Sequence, residues 1–213
     1  MAVYADLWQV EGSTNINGTL YQINDLLLAD VTAVGDISIT AGKVENLAGT
    51  SNASERGSAS IGVKKVNTSG NVYLAAAGSI TDRYTDTAAA IVNITSQNLS
   101  LFAGNDVGAF GASSHNYLDV KLSGAVTAKA GLNLFINAVD SHLRVDYIES
   151  ITGDVYLKAG NSILDALAGS ISDNANDKSA DGTIDIKADH IELIALTGAI
   201  GQFGNMLELD TSA

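Results

Sequence analysis

The sequence predicts an all-β fold, a right-handed parallel β-helix (a solenoid) of about seven irregular coils. Three observations carry that expectation. A short strand pattern recurs along the chain. Further apolar-alternating runs lie between its copies. Proline, which cannot donate to a strand ladder, is absent from all 213 residues.

The pattern appears in six stretches: Gly35-Asp36-Ile37-Ser38-Ile39, Gly70-Asn71-Val72-Tyr73-Leu74, Asn98-Leu99-Ser100-Leu101, Gly131-Leu132-Asn133-Leu134, Gly153-Asp154-Val155-Tyr156-Leu157 and Gly182-Thr183-Ile184-Asp185-Ile186. Most copies continue in register with an alanine (Ala41, Ala76, Ala103, Ala159, Ala188), then Gly42, Gly104 or Gly160, then a further apolar residue. Such a unit is too small to bury its own apolar face and must stack on its neighbours. The copies are spaced by roughly 29 residues on average, inside the range of repeat architectures. Their variable spacing suits constant strands joined by loops of varying length.

The second runs are Ile61-Gly62-Val63, Ile91-Val92-Asn93-Ile94, Leu118-Asp119-Val120-Lys121-Leu122 and Leu143-Arg144-Val145-Asp146-Tyr147. Alternation of this kind reads as half-buried strand. In a stacked solenoid, Ile37, Val72, Leu99, Leu132, Val155 and Ile184 would form one inward column. Ser38, Tyr73, Ser100, Asn133, Tyr156 and Asp185 would form the outward column beside it. The recurring Ala-Gly suits a tight corner, where a Cβ would crowd the turn. Residues 34–213 are the expected repeat region. Residues 1–33 depart from the pattern, hold the single tryptophan, Trp8, and are expected to form a cap.

Hydrophobic residues make up 46% of the chain, which argues against disorder, and aromatics only 6%, which favours thin, repetitive packing. The net charge of −13 opposes binding to nucleic acid or anionic membranes, so neither is an expected partner. No apolar run approaches transmembrane length, so membrane insertion is not expected. There is no cysteine, which removes disulfides and thiolate metal sites. The first residues lack the basic and apolar regions of a signal peptide, and the chain reads as a segment excised from a longer protein.

The words Gly35–Gly42 (GDISITAG), Gly70–Asp82 (GNVYLAAAGSITD) and Gly153–Asp165 (GDVYLKAGNSILD) resemble the repeats of filamentous-haemagglutinin-like and leukotoxin-type bacterial filamentous adhesins. The resemblance covers roughly residues 34–201. It implies a β-helical stalk, secretion to the surface of a Gram-negative bacterium and a role in attachment.

Candidate chemistry is sparse. His115, His142 and His190 are scattered and match no catalytic or zinc spacing. Strand alternation puts His142, Arg144 and Asp146 on one face, where they could hold a sugar. The plain reading is a solvated polar face opposite Leu143, Val145 and Tyr147. Asp185, Asp189 and Glu192 are the nearest thing to the paired carboxylates of a glycosidase, with Asp185 outward in this register, and their plain reading is solubility. Tyr73 and Tyr156 share the outward column and could stack on a glycan, or simply pack across strands. The loop holding Asp173, Asp177 and Asp181 offers oxygens suited to calcium but matches no calcium motif; its plain reading is an exposed loop.

The expected function is a structural or adhesive segment of a bacterial cell-surface or secreted filamentous exoprotein, without catalysis and without a cofactor. Its expected partners are same-chain repeats, homotypic end-to-end contacts, and host or matrix glycans. One alternative is a carbohydrate-active β-helix enzyme. Another is a self-assembling filament or surface-layer subunit.

Overall fold

The computed structural model describes residues 25–42, 59–84, 91–111, 115–166, 184–202 and 205–211, and the backbone of three short strands before residue 23. In chain order the strands are β1 (Ala2–Tyr4), β2 (Gln9–Val10), β3 (Thr19–Gln22), β4 (Leu26–Leu28), β5 (Val31–Ala33), β6 (Ile37–Ala41), β7 (Ile61–Val63), β8 (Val66–Thr68), β9 (Val72–Ala76), β10 (Ile80–Asp82) and β11 (Ile94–Ser96). They continue with β12 (Leu99–Ala103), β13 (Leu118–Leu122), β14 (Ala125–Ala130), β15 (Leu134–Ala138), β16 (Leu143–Ser150), β17 (Asp154–Ala159), β18 (Ile163–Asp165), β19 (Ile186–Lys187), β20 (His190–Ala195) and β21 (Leu209–Asp210). No helix occurs among the described residues.

The fold is all-β, and every pairing between named strands is parallel. The strands form three stacked sheets, an arrangement compatible with a β-helix. The first sheet has ten strands, with β1, β3, β6, β9, β12, β14, β16, β19 and β21 in line and β18 beside β16. The second runs β10, β7, β4, β2, and the third β20, β17, β15, β13, β11, β8, β5. The chain visits the sheets in turn, as β4, β5 and β6 do, and again β7, β8 and β9.

Each strand places alternate side chains inward, and those of successive turns stack into columns. On the first sheet one column is Ile39, Leu74, Leu101, Ala128, Ile148 and Ile186, all shut off from solvent. Beside it run Ile37, Val72, Leu99, Val126 and Val145. Another column joins the second sheet to the third: Leu26, Ile61, Ile80, Val107, Leu134, Val155 and Ile191. All of these belong to a single apolar core except Ile191, which packs against it half-buried.

The expected inward column is therefore corrected. Ile37, Val72 and Leu99 do align, but Val126 and Val145 follow them. Leu132 is 41% exposed and Ile184 39%, while Val155 is buried on another sheet. Strands on different faces share the same apolar alternation, so one sequence pattern describes several columns. Within that pattern the fourth copy is offset by two residues, since Leu134 rather than Leu132 pairs with Val155. The outward column divides in the same way. Tyr73 pairs with Ser38 and Ser100 on the first sheet, and Tyr156 with Phe135 and Glu192 on the third.

Side chains reinforce the stacking at the turns. Asp36 Oδ1 accepts from the Asn71 backbone N–H at 2.8 Å and from Asn71 Nδ2 at 3.1 Å. Asn98 Nδ2 donates to Asn71 Oδ1 at 2.9 Å, and Asn98 Oδ1 accepts from the Ala125 N–H at 2.8 Å. A parallel ladder links Asp106, Asn133 and Asp154. Thus Asp36, Asn98, Asp106 and Asn133 each accept a backbone N–H of the next turn. The corner glycine also has a steric cause: a Cβ at Gly104 would collide with the Ala77 carbonyl.

Candidate functional site

Two clusters stand out, and the first grows from the third sheet. Phe135 occupies an outward position on β15, yet it is fully buried. Its cover is an excursion that leaves the sheet after Val107 and returns through an antiparallel bridge between Ala109 and Asn116. Gly108 permits it, with φ at +75° and no room for a Cβ, which would meet Phe135 Cβ at 2.7 Å. Phe110 lies edge-on to Phe135, with centroids 4.7 Å apart. His115 lies 4.9 Å from Phe135 and 4.5 Å from Tyr156. Tyr156 stacks on Phe135 at 4.8 Å with planes 7° apart, and His190 lies 6.2 Å beyond.

The patch is acidic at its margin. The Tyr156 hydroxyl donates to Asp154 Oδ2 at 3.1 Å. Burial, that hydrogen bond, and the charges of Asp154 and Glu192 raise the Tyr156 phenol above its ordinary pKa. Burial and Glu192 do the same for Tyr117. Phe110 remains 57% exposed, so the cluster presents an apolar ring face to solvent beside carboxylates. Aromatic rings next to polar groups suit stacking on a sugar ring.

The second cluster is buried. Asp165, Asp185 and Glu208 each bring a carboxylate oxygen to within 4.8 Å of the others. Asp165 ends β18, Asp185 precedes β19, and Glu208 precedes β21. Asp185 Oδ2 accepts the Glu208 backbone N–H at 2.9 Å. Burial, opposed by that hydrogen bond and supported by a side-chain hydrogen bond with the Glu208 carboxyl and by the negative charges of Asp165 and Glu208, pushes the Asp185 carboxyl up to about 8. The outward placement expected for Asp185 is thus corrected: the residue is fully buried. The chain turns between Ile184, which is exposed, and Ile186, which is inward, so alternation counted from Ile184 misassigns the residue between them. Asp189 and Glu192, its sequence neighbours, are exposed and outside the cluster.

His142, Arg144 and Asp146 do face away from buried Leu143 and Val145. Their partners are structural. Asp146 Oδ2 accepts from Thr127 Oγ1 at 2.7 Å, and His142 Nε2 lies 3.4 Å from Asn161 Nδ2. The pairing of β16 with β14 shifts register here, so Ile148 takes the next inward place and Tyr147 stays outward and half-buried. Tyr73 packs on Phe102, with centroids 5.4 Å apart. Asp173, Asp177, Asp181 and Trp8 lie outside the described residues.

A buried polar chain was not legible in the sequence at all. Asn93, fully buried, donates to the Val63 and Lys64 carbonyls and to Asp82 Oδ1, and accepts the Asp119 N–H at 2.8 Å. Asn137 Nδ2 in turn donates to Asp119 Oδ1. No protein-family profile matches the chain, and neither the curated proteins nor the solved structures contain a significant match.

Proposed function

We propose that this chain is a right-handed parallel β-helix of about seven coils serving as a structural and adhesive segment of a secreted or cell-surface bacterial exoprotein, without catalysis. The observation that supports this reading most is the continuity of parallel pairing. Parallel pairing runs from β1 to β21 on the first sheet and from β5 to β20 on the third, which is the build of a stalk. The bacterial and cell-surface parts of the reading rest on the repeat resemblance alone.

The surface that would make contact is the aromatic patch of Phe110, His115 and Tyr156. Its exposed ring and acidic margin suit a neutral or cationic glycan better than an anionic one. Binding to an array of host and matrix glycans tests this. The proposal expects a glycan signal that Phe110→Ala and Tyr156→Ala each reduce at least tenfold, while Tyr73→Ala leaves it unchanged. No signal on any glycan, or a signal indifferent to both patch substitutions, overturns the adhesive assignment of this face.

A further inference from the structure

We propose that Asp165, Asp185 and Glu208 form a divalent-cation site, and that its ion is calcium. The inference stands apart from the adhesive reading and does not depend on it. Three carboxylates supply hard oxygen donors and no nitrogen or sulfur, the set that calcium prefers. Calcium–oxygen bonds run about 2.3–2.6 Å, so two oxygens on one ion can stand up to roughly 5 Å apart. These oxygens all lie within 4.8 Å of one another, inside that reach.

Proximity of acids alone would not carry the assignment. The second observation is Asp185 itself. The residue is fully buried, and no N–H or hydroxyl group donates to its Oδ1. A buried carboxylate oxygen left so is costly unless something positive or a donor meets it. Backbone bonds hold the group in place: the Ile148 N–H donates to the Asp185 carbonyl at 2.7 Å, and the Asp185 N–H to the Glu208 carbonyl at 3.0 Å. Asn205 Nδ2 donates to the Asp165 carbonyl at 3.3 Å. Glu208 is half-buried, which leaves a side from which an ion and its remaining water ligands can enter. An ion here ties together three separate turns of the chain near β21.

The test uses the full chain, stripped with a chelator, and calcium chloride alone as the probe. Calorimetry is expected to show one saturable equivalent, and the melting temperature to rise with calcium concentration as linkage requires. Asp185→Asn and Glu208→Gln are each expected to weaken binding at least tenfold. Glu208→Gln is the variant of choice should Asp185→Asn fail to fold. The triple variant Asp173→Asn, Asp177→Asn, Asp181→Asn is expected to bind as the parent does. Absence of saturable binding at millimolar calcium overturns the site and leaves a carboxyl–carboxylate proton as the occupant. Binding that survives Glu208→Gln, or that the triple variant abolishes, overturns it as well.

Discussion

The Phe135 and Tyr156 rings stack 4.8 Å apart and almost parallel, at positions where their strands pair backbone to backbone. One ring is sealed from solvent and the other is half-buried, so the pair joins the sheet to the excursion above it. Phe135→Ala is expected to cost about 3–5 kcal/mol, because it empties a fully enclosed site. Phe110→Ala should cost far less, since that ring is mostly exposed. Urea denaturation of both variants checks this. Equal losses would mean that the excursion does not cover Phe135.

The buried polar chain gives a sharper contrast between two variants. Asn93 donates to two carbonyls and to Asp82, and accepts from Asp119. Asn93→Asp keeps the size but removes the donors and sets a carboxylate against Asp82. The loss should exceed the about 1–3 kcal/mol of one orphaned buried group. Asn93→Asp should be no milder than Asn93→Ala, although it is the closer isostere. An aspartate variant as stable as the parent in chemical denaturation would show that this chain of hydrogen bonds contributes little.

Leu157 tests the core register. It is 1% exposed, with Ile136 and Leu193 as its backbone partners on either side. Leu157→Asp drives a charge into that column and should leave the chain aggregated or unfolded. Asn67→Asp, at an exposed position of β8, should change the melting temperature little. Similar tolerance at both positions would contradict the inward assignment of Leu157.

These contrasts mark what the sequence discloses. The strand class was legible because alternation and absent proline are local signals. The corner at Gly104 was legible for the same reason: the Ala77 carbonyl that crowds it belongs to the preceding turn of a repeating pattern. Which face a strand joins was not legible. Val72 and Val155 sit in near-identical words, yet one lies on the first sheet and the other on the third. Loop lengths decide that, and they carry no periodic signal. The Tyr156 environment and the Asp165–Asp185–Glu208 cluster are assembled from segments tens of residues apart. Nothing in the local sequence around Asp185 announces Glu208.

Acid-base behaviour follows from Asp185. Burial lifts its carboxyl from 3.8 to about 8, so the folded chain keeps a proton that the unfolded chain releases between those values. A raised carboxyl therefore favours the folded state at the acid end of that window and loses this advantage as pH rises toward about 8. Asp185→Asn removes the titration. In metal-free buffer, the melting temperature of the variant relative to the parent should climb between about pH 5 and about pH 8. A difference that stays flat across that window would contradict the raised value.

The last prediction concerns the far edge of the stack. Strand β20 pairs with β17 on one side and ends the third sheet among the described residues. Its inward residues Ile191 and Leu193 are only partly buried, although they continue columns whose earlier members are sealed. Leu196, Ile200, Met206 and Leu209 nearby are 45–59% exposed. An edge with open backbone groups and apolar columns invites another parallel strand. We therefore expect reversible self-association that grows with concentration, read by size-exclusion chromatography with light scattering. Leu193→Lys places a charge in the half-covered column at the edge, and should suppress the association without unfolding the chain, as circular dichroism can verify. A monomer at every concentration would contradict homotypic pairing at this edge. Association that Leu193→Lys leaves untouched would put the contact on another face.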